Sequence, residues 1–348
     1  MRVKNLRNLL IISLLVVLVA SSLSIAAPKK IRIGFSLATL QEERWGKDRD
    51  FFRAEAERLG AQVLVQAANN DDALQISQCE NLLSQGIDVL VIVPHDGEAA
   101  AAAVESAHKS KVPVIAYDRL ISNCDLDLYI SFDNERVGYL QAMGVLSKVS
   151  AGNFVYIGGS PTDNNAYLVK NGSMKALQPY IDQGKIKIVY DQFTPNWDPA
   201  IAQANMENAL TMLNNQVDAV VAANDGTAGG VIQALADQKL AGKVPVSGQD
   251  ADLAACQRIV EGTQTVTVYK PIKGIATAAA QAAVKLAKGE KVEANLTVNN
   301  GKVDVPYLAL DPIPVYKENM YDVIIRDGFY TMEEVYRNIP KKDWPAQK

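Results

Sequence analysis

Between residues 30 and 250, short apolar runs alternate with helical stretches, and the alternation is completed twice. The first round reads "KIRIGFSLA" (30–38), "QVLVQAA", "VLVIVP" and "VPVIAYD" as strands. Helical periodicity lies between them over 41–61, ending near Gly60, and over 71–85 and 97–110. The second round reads "NFVYIGGS" (153–160), "IKIVYDQF", "DAVVAAND" and "VPVSGQD", with helices at 163–180, 199–214 and 227–238. These runs have no polar face. A strand wetted on one side alternates, whereas a strand covered by helices on both sides does not, so the pattern demands a parallel sheet between helical layers.

The two rounds are related. "IDVLVIVPHDG" (87–97) and "VDAVVAANDG" (217–226) share an Asp followed by an apolar run at an offset of 130. "VPVIAYD" and "VPVSGQD" each run from Val-Pro-Val into a carboxylate, Asp118 and Asp250, at an offset of 132. Two matches in the same order at nearly equal offsets mark two similar lobes, and the period is far too long for a solenoid. The expected fold is α/β: two similar doubly wound parallel-sheet lobes. From about 263 the pattern breaks into "TQTVTVYKP", an Ala-rich helix at 271–288 and the extended "VNNGKVDVPYLAL". This predicts a hinge of three crossovers near 134, 268 and 303. The N-terminal lobe would then be 30–133 plus 271–302, the C-terminal lobe 134–268 plus 303–330, and 331–348 a loose tail.

The first 27 residues are of another kind. Arg2, Lys4 and Arg7 precede the apolar run "LLIISLLVVLVA" and the small-residue exit Ile25-Ala26-Ala27, the layout of a cleaved export signal. An uncleaved anchor is the rival, since 9–27 is near the spanning minimum, but Ser13, Ser21, Ser22 and Ser24 weaken it. Removing this stretch takes the net charge from −4 to −7, and no basic block follows it, so a nucleic-acid partner is not expected. With 48% hydrophobic and 21% charged residues, the remainder can bury a core in each lobe. Cys79, Cys124 and Cys256 cannot all pair with one another and have no CxxC spacing. They read as buried thiols, with one disulfide left open.

In open parallel sheets, ligands bind beyond the carboxyl ends of the strands. The polar residues there are Asp118 and Arg119, Asp163 to Asn165, Asn224 and Asp225, and Gln249 with Asp250. Their planar groups offer paired donors or acceptors at the spacing of adjacent sugar hydroxyls. Any one of them alone could be a helix cap; several endings in two related lobes favour a shared cleft. Trp45 and Trp197 sit among charged and turn residues, where a stacking platform fits better than a core position. Trp344 carries no such argument.

Enzymatic readings find little support. His95 and His108 lack ligand-spaced partners, which argues against zinc, and neither a GxSxG elbow nor a phosphate-binding loop occurs. A secreted glycoside hydrolase using Asp118 and Asp250 is the alternative of a different class. Against it, Arg119 beside Asp118 favours an ionised carboxylate over a general acid.

The export signal, "ERWGKDRD", "AYDRLI", "YISFDNERVG", "GGSPTDNNA", "AANDGTAGG", "SGQDADLA" and "GTQTVTVYKP" resemble the periplasmic D-xylose-binding proteins over about 30–330. These are type I periplasmic sugar-binding proteins of ABC transporters. The resemblance implies a non-enzymatic periplasmic receptor, expected to be a monomer, that closes a hinge around D-xylose and hands it to a membrane permease. A receptor for another monosaccharide is the near alternative. The implied ligand-binding residues are Arg44, Trp45, Asp118 and Arg119 from the first lobe, and Asn165, Trp197, Asn224 and Asp250 from the second. Lys270 joins them from a crossover. No cofactor or metal is implied.

Overall fold

The computed structural model describes residues 30–346, so the export-signal stretch at 1–27 lies outside the described residues. The first lobe alternates strands β1 (Arg32–Leu37), β2 (Gln62–Ala67), β3 (Val89–Val93) and β4 (Val114–Tyr117) with helices α1 (Glu43–Arg58), α2 (Asp72–Ser84) and α3 (Ala101–Lys109). A fifth strand, β5 (Leu128–Phe132), follows directly; its run is short and its neighbours "SNCDLD" polar, and sequence periodicity does not single it out. Every residue of β3 is buried, as expected for a strand covered on both faces. One face packs on α1 and on α9 (Ile272–Ala287), the other on α2 and α3.

The second lobe begins at α4 (Asn134–Leu146). It continues through β6 (Gly152–Ile157), α5 (Asn164–Asp182), β7 (Ile186–Gln192), α6 (Pro199–Met212), β8 (Ala219–Ala222), α7 (Asp225–Asp237) and α8 (Leu253–Glu261). Strands β7, β6 and β8 pair in parallel in that order. The expected strand "VPVSGQD" contributes only isolated bridges, Val220 to Val246 and Gln249 to Val268. Helices α4 and α5 meet backbone to backbone: a Cβ at Gly138 would lie 1.8 Å from the Val169 carbonyl oxygen, and one at Gly172 1.9 Å from that of Glu135.

Three crossings join the lobes. The chain leaves the first after β5, returns after β9 (Thr267–Tyr269), and leaves again after β10 (Leu296–Asn299) and β11 (Asp304–Leu310). The last crossing therefore falls at 311–312, not near 303. Strand β11 runs parallel to β5, with Leu310 opposite Phe132, so 304–310 completes the first sheet. An extended apolar segment reads the same whichever sheet accepts it. Strand β12 (Ile313–Val315) then pairs antiparallel with β9, setting Ile313 opposite Tyr269.

The C-terminal segment is not a loose tail as far as it is described. Tyr330, Met332, Val335 and Tyr336, around helix α10 (Met332–Val335), are buried with Cys256, Ile259 and Val260 of α8. Trp344 packs on Tyr336 with ring centres 6.1 Å apart. All three cysteines are buried and free. No helix among the described residues is long and apolar enough to cross a membrane.

Candidate functional site

Asp118 follows β4 and Asp250 follows the bridged segment 246–249, and both adopt left-handed backbone, with φ of 61° and 93°. Such conformations are unfavourable for residues other than glycine and concentrate where a site requires them. Here they turn the chain at each strand end and aim a carboxylate into the space between the lobes. That space is a narrow cavity. All nine residues expected from sequence line it: Arg44, Trp45, Asp118, Arg119, Asn165, Trp197, Asn224, Asp250 and Lys270.

Arg44 stands at the centre. Its guanidinium pairs with Asp48 at 3.1 Å, Asp118 at 3.0 Å and, across the gap, Asp250 at 3.2 Å. Lys270, delivered by the second crossing, reaches Asp118 at 3.3 Å. Burial alone would raise the Asp118 carboxyl, but Arg44, then Lys270 and Arg119, hold it down at about 2. Asp48 goes the other way: burial pushes it to about 6 against the pull of Arg44 and the Tyr117 hydroxyl.

Arg119 organises the aromatic part of the wall. It pairs through Nη2 with Glu42 Oε2 at 3.1 Å and through Nε with Asp163 Oδ2 at 2.9 Å. The same two carboxylate oxygens accept the indole N–H groups, Trp45 at 2.7 Å and Trp197 at 3.2 Å. Burial raises both acids above the ordinary carboxylate range, with Arg119 opposing. Trp197 lies against bare backbone: a Cβ on Gly159 would be 2.1 Å from its ring.

The cap and site readings of the strand-end residues turn out to be compatible. Asn224 caps α7, its Oδ1 accepting from Thr227 N–H at 2.8 Å, which leaves its Nδ2 amide as a donor. Asp163 caps α5 through one oxygen and serves the tryptophan and Arg119 with the other. Asn165 donates to the Asp118 carbonyl at 3.0 Å, tying the two lobes together.

Sequence reasoning does not single out Glu42, which also lines the cavity. It opens the charged run "QEERWGKDRD", which reads as a solvated helix start; its one signal is the three-residue spacing to Trp45. Asp163 and Gln249 line the cavity as well, and both stand among the strand-end residues named from sequence. The Gln249 Oε1 atom is buried without a hydrogen-bond partner. A buried orphan acceptor is costly unless a donor fills the cavity.

The wall thus offers fixed carboxylates, amides and cations beside two indoles, the makings of polyol recognition. Against the expectation of platforms rather than core positions, both indoles are also buried in the lobe cores, and the Arg44 guanidinium lies 4.3 Å from the Trp45 ring centre. Among the described residues no cluster of His, Cys, Asp and Glu could hold a metal ion. His95 is bonded to Asp72 at 2.7 Å and across the gap to Asn196 at 3.0 Å.

Comparison with known proteins agrees with this geometry. The chain is 55% identical over 313 residues to the D-xylose-binding periplasmic protein of Haemophilus influenzae, covering 90% of this chain and 94% of that one. It is 51% identical over 335 residues to the protein of the same description from Escherichia coli, covering 96% and 100%. Among solved structures, a carbohydrate transporter solute-binding protein from Chloroflexus aurantiacus in complex with D-glucose superposes with a TM-score of 0.82. It shares 35% identity and covers 88% of this chain and 98% of its own. A model of the periplasmic binding protein domain matches residues 33–291. The chain belongs to the periplasmic binding protein domain family.

Proposed function

We propose that this protein is a periplasmic receptor that captures D-xylose between its lobes and presents it to the permease of an ABC transporter. The observation that carries the reading is the convergence of Asp118 and Asp250, one from each lobe, on a single cavity that also holds two indoles. A pyranose has an equatorial rim of hydroxyls and two apolar faces. The carboxylates, Arg44, Asn224 and Lys270 would serve the rim, and Trp45 and Trp197 the faces. Relatives more than 50% identical over nearly the whole chain bind D-xylose by their descriptions, which supports xylose over other monosaccharides.

Hydrolysis with Asp118 as the acid is disfavoured. A glycosidase needs a carboxylic acid with a raised pKa, and Arg44 and Lys270 hold Asp118 ionised down to about 2. The protein acts as a monomer, exported by cleavage of a signal near residue 27.

Calorimetric titration against a panel of monosaccharides tests the reading. Saturable one-to-one binding with D-xylose tightest is expected. Binding of another sugar in preference would reassign the ligand, and turnover of nitrophenyl xylosides dependent on either Asp would overturn the receptor reading. N-terminal sequencing of the exported protein tests the cleavage.

A further inference from the structure

Helix α8 begins three residues after the cavity-lining Asp250, and its start is held from the opposite lobe. Its own N-cap residue, Asp252, makes no side-chain cap bond. Instead the Leu253 N–H donates to Oε2 of Glu43, in the first turn of α1, at 3.1 Å. The other oxygen of Glu43 accepts from the Tyr330 hydroxyl at 2.6 Å and pairs with Lys47 at 3.1 Å. The Lys47 ammonium in turn lies over two rings of the C-terminal segment, 4.1 Å from the centre of Phe329 and 3.7 Å from that of Tyr330. Glu43 and Lys47 belong to the first lobe; Leu253, Phe329 and Tyr330 belong to the second. None of the five lines the sugar cavity.

We propose that Glu43 is a positioning residue that caps α8 in trans when the lobes close, and that with Tyr330 it slows release of the bound sugar. The inference rests on the sugar-receptor reading. A helix start lacking a cap has unsatisfied N–H donors and a partial positive charge, and a carboxylate answers both. Because that carboxylate arrives from the other lobe, the bonds exist only in the closed arrangement. Opening breaks them together with those to the ligand. The segment from Asp250 to Leu253 has left-handed φ at Asp250 and at Ala251 (56°), and its first three N–H groups are bonded within the second lobe, to the Val268 carbonyl at 2.9 Å, Thr267 Oγ1 at 3.1 Å and Asp225 Oδ2 at 3.0 Å. The bond to Leu253 is thus the one in this segment that crosses to the other lobe, and it acts on closure rather than on the placing of the Asp250 carboxylate. The C-terminal segment becomes the seat of a clasp outside the cavity.

Release rates and affinities are to be compared for the full chain, Glu43→Ala, Tyr330→Phe and the double variant. Stopped-flow tryptophan fluorescence with D-xylose follows the rates, and solution scattering follows closure. Tyr330→Phe keeps the ring under Lys47 and removes only the hydroxyl. Each single variant should speed dissociation about three- to tenfold, the size of one partly exposed hydrogen bond. Association should stay at the wild-type rate, because no cavity residue changes. The double variant should release no faster than Glu43→Ala, since Tyr330 acts through Glu43. Wild-type release in both single variants, or additive effects in the double, would overturn the clasp while leaving the receptor reading intact. Should the wild type bind no sugar of the panel, the receptor reading fails, and scattering alone decides the clasp. A larger radius for Glu43→Ala than for wild type then supports it, and equal radii refute it.

Discussion

Arg119 and Asp163 face each other from opposite lobes at 2.9 Å, and the same guanidinium holds Glu42 on its own lobe at 3.1 Å. Because each carboxylate also anchors one indole N–H, the two aromatic walls are keyed to a single planar cation. A compact ammonium cannot span both. Arg119→Lys should therefore weaken D-xylose binding by about tenfold or more, the loss of at least one charged hydrogen bond. Calorimetry at matched ionic strength checks this, and unaltered affinity would contradict the bridging role.

Closure around a sugar should alter the surroundings of Trp45 and Trp197 together. A saturable change in tryptophan emission is expected on adding D-xylose. Trp344, packed on Tyr336 and bonded to the Ile339 carbonyl at 2.9 Å, lies outside the cavity. Trp344→Phe should keep the change, while Trp45→Phe with Trp197→Phe should remove most of it.

Gly159 provides a sharper probe of the second platform. A methyl group there would fall 2.1 Å from the Trp197 ring, which must then move away from the wall. Gly159→Ala should fold, lose affinity for xylose by roughly tenfold or more, and shift the emission of the ligand-free protein. Retention of wild-type affinity would show that Trp197 does not stack on the ligand.

The two repeated carboxylates should differ in what their removal does to folding. Asp118 neutralises both Arg44 and Lys270, so Asp118→Ala leaves buried cations short of a partner, a loss on the order of 3–5 kcal/mol of stability. After Asp250→Ala, Arg44 still has Asp48 and Asp118, and stability should fall far less. Both should weaken xylose binding by about ten- to a hundredfold. Chemical denaturation beside calorimetry separates the two effects. Equal stability losses would mean that Arg44 does not share its charge as the geometry indicates.

The buried acids predict opposite pH dependences. Asp118 has a folded pKa depressed to about 2, so the stability it contributes is present above its ordinary value near 3.8 and lost as pH falls toward 2. Asp225 accepts from Gln264 and Thr267 at 2.7 Å, yet burial raises it to about 7. An acid raised in the folded state lowers stability progressively as pH climbs from about 4 to 7. Relative to the wild type, Asp225→Asn should gain stability as pH climbs through that window and hold its position above it, from a baseline lowered by the acceptor oxygen it loses. A gain independent of pH would show that Asp225 is not protonated in the folded protein.

Much of the site is legible because its residues end apolar runs: Asp118 and Asp250 stand out where a buried strand meets a carboxylate at a repeated offset. The doubled α/β plan is legible for the same reason, since strands buried on both faces leave an uninterrupted apolar trace. Glu42 is not, because a carboxylate in a charged run looks solvated until its partners arrive from elsewhere in the chain. The last crossing is misplaced by sequence because "VDVPYLAL" carries no mark of which sheet it will join. The C-terminal segment misleads through its Lys, Pro and Asn content; its aromatic residues follow no helical or strand period, so their common burial beside α8 leaves no pattern to read.

The third crossing runs between the other two. Leu310 lies opposite Phe132 and accepts from Asp133 N–H at 3.1 Å, while Ile313 pairs with Tyr269 on the other side. Three connections laced side by side form a flat ribbon, and a ribbon bends about one axis while resisting twist and slide. The relative placement of the lobes is then a one-dimensional variable. Anything that docks across both lobes at once reads a single angle, so occupancy of the cavity reaches the outer surface as a signal with one coordinate and little room for intermediate messages.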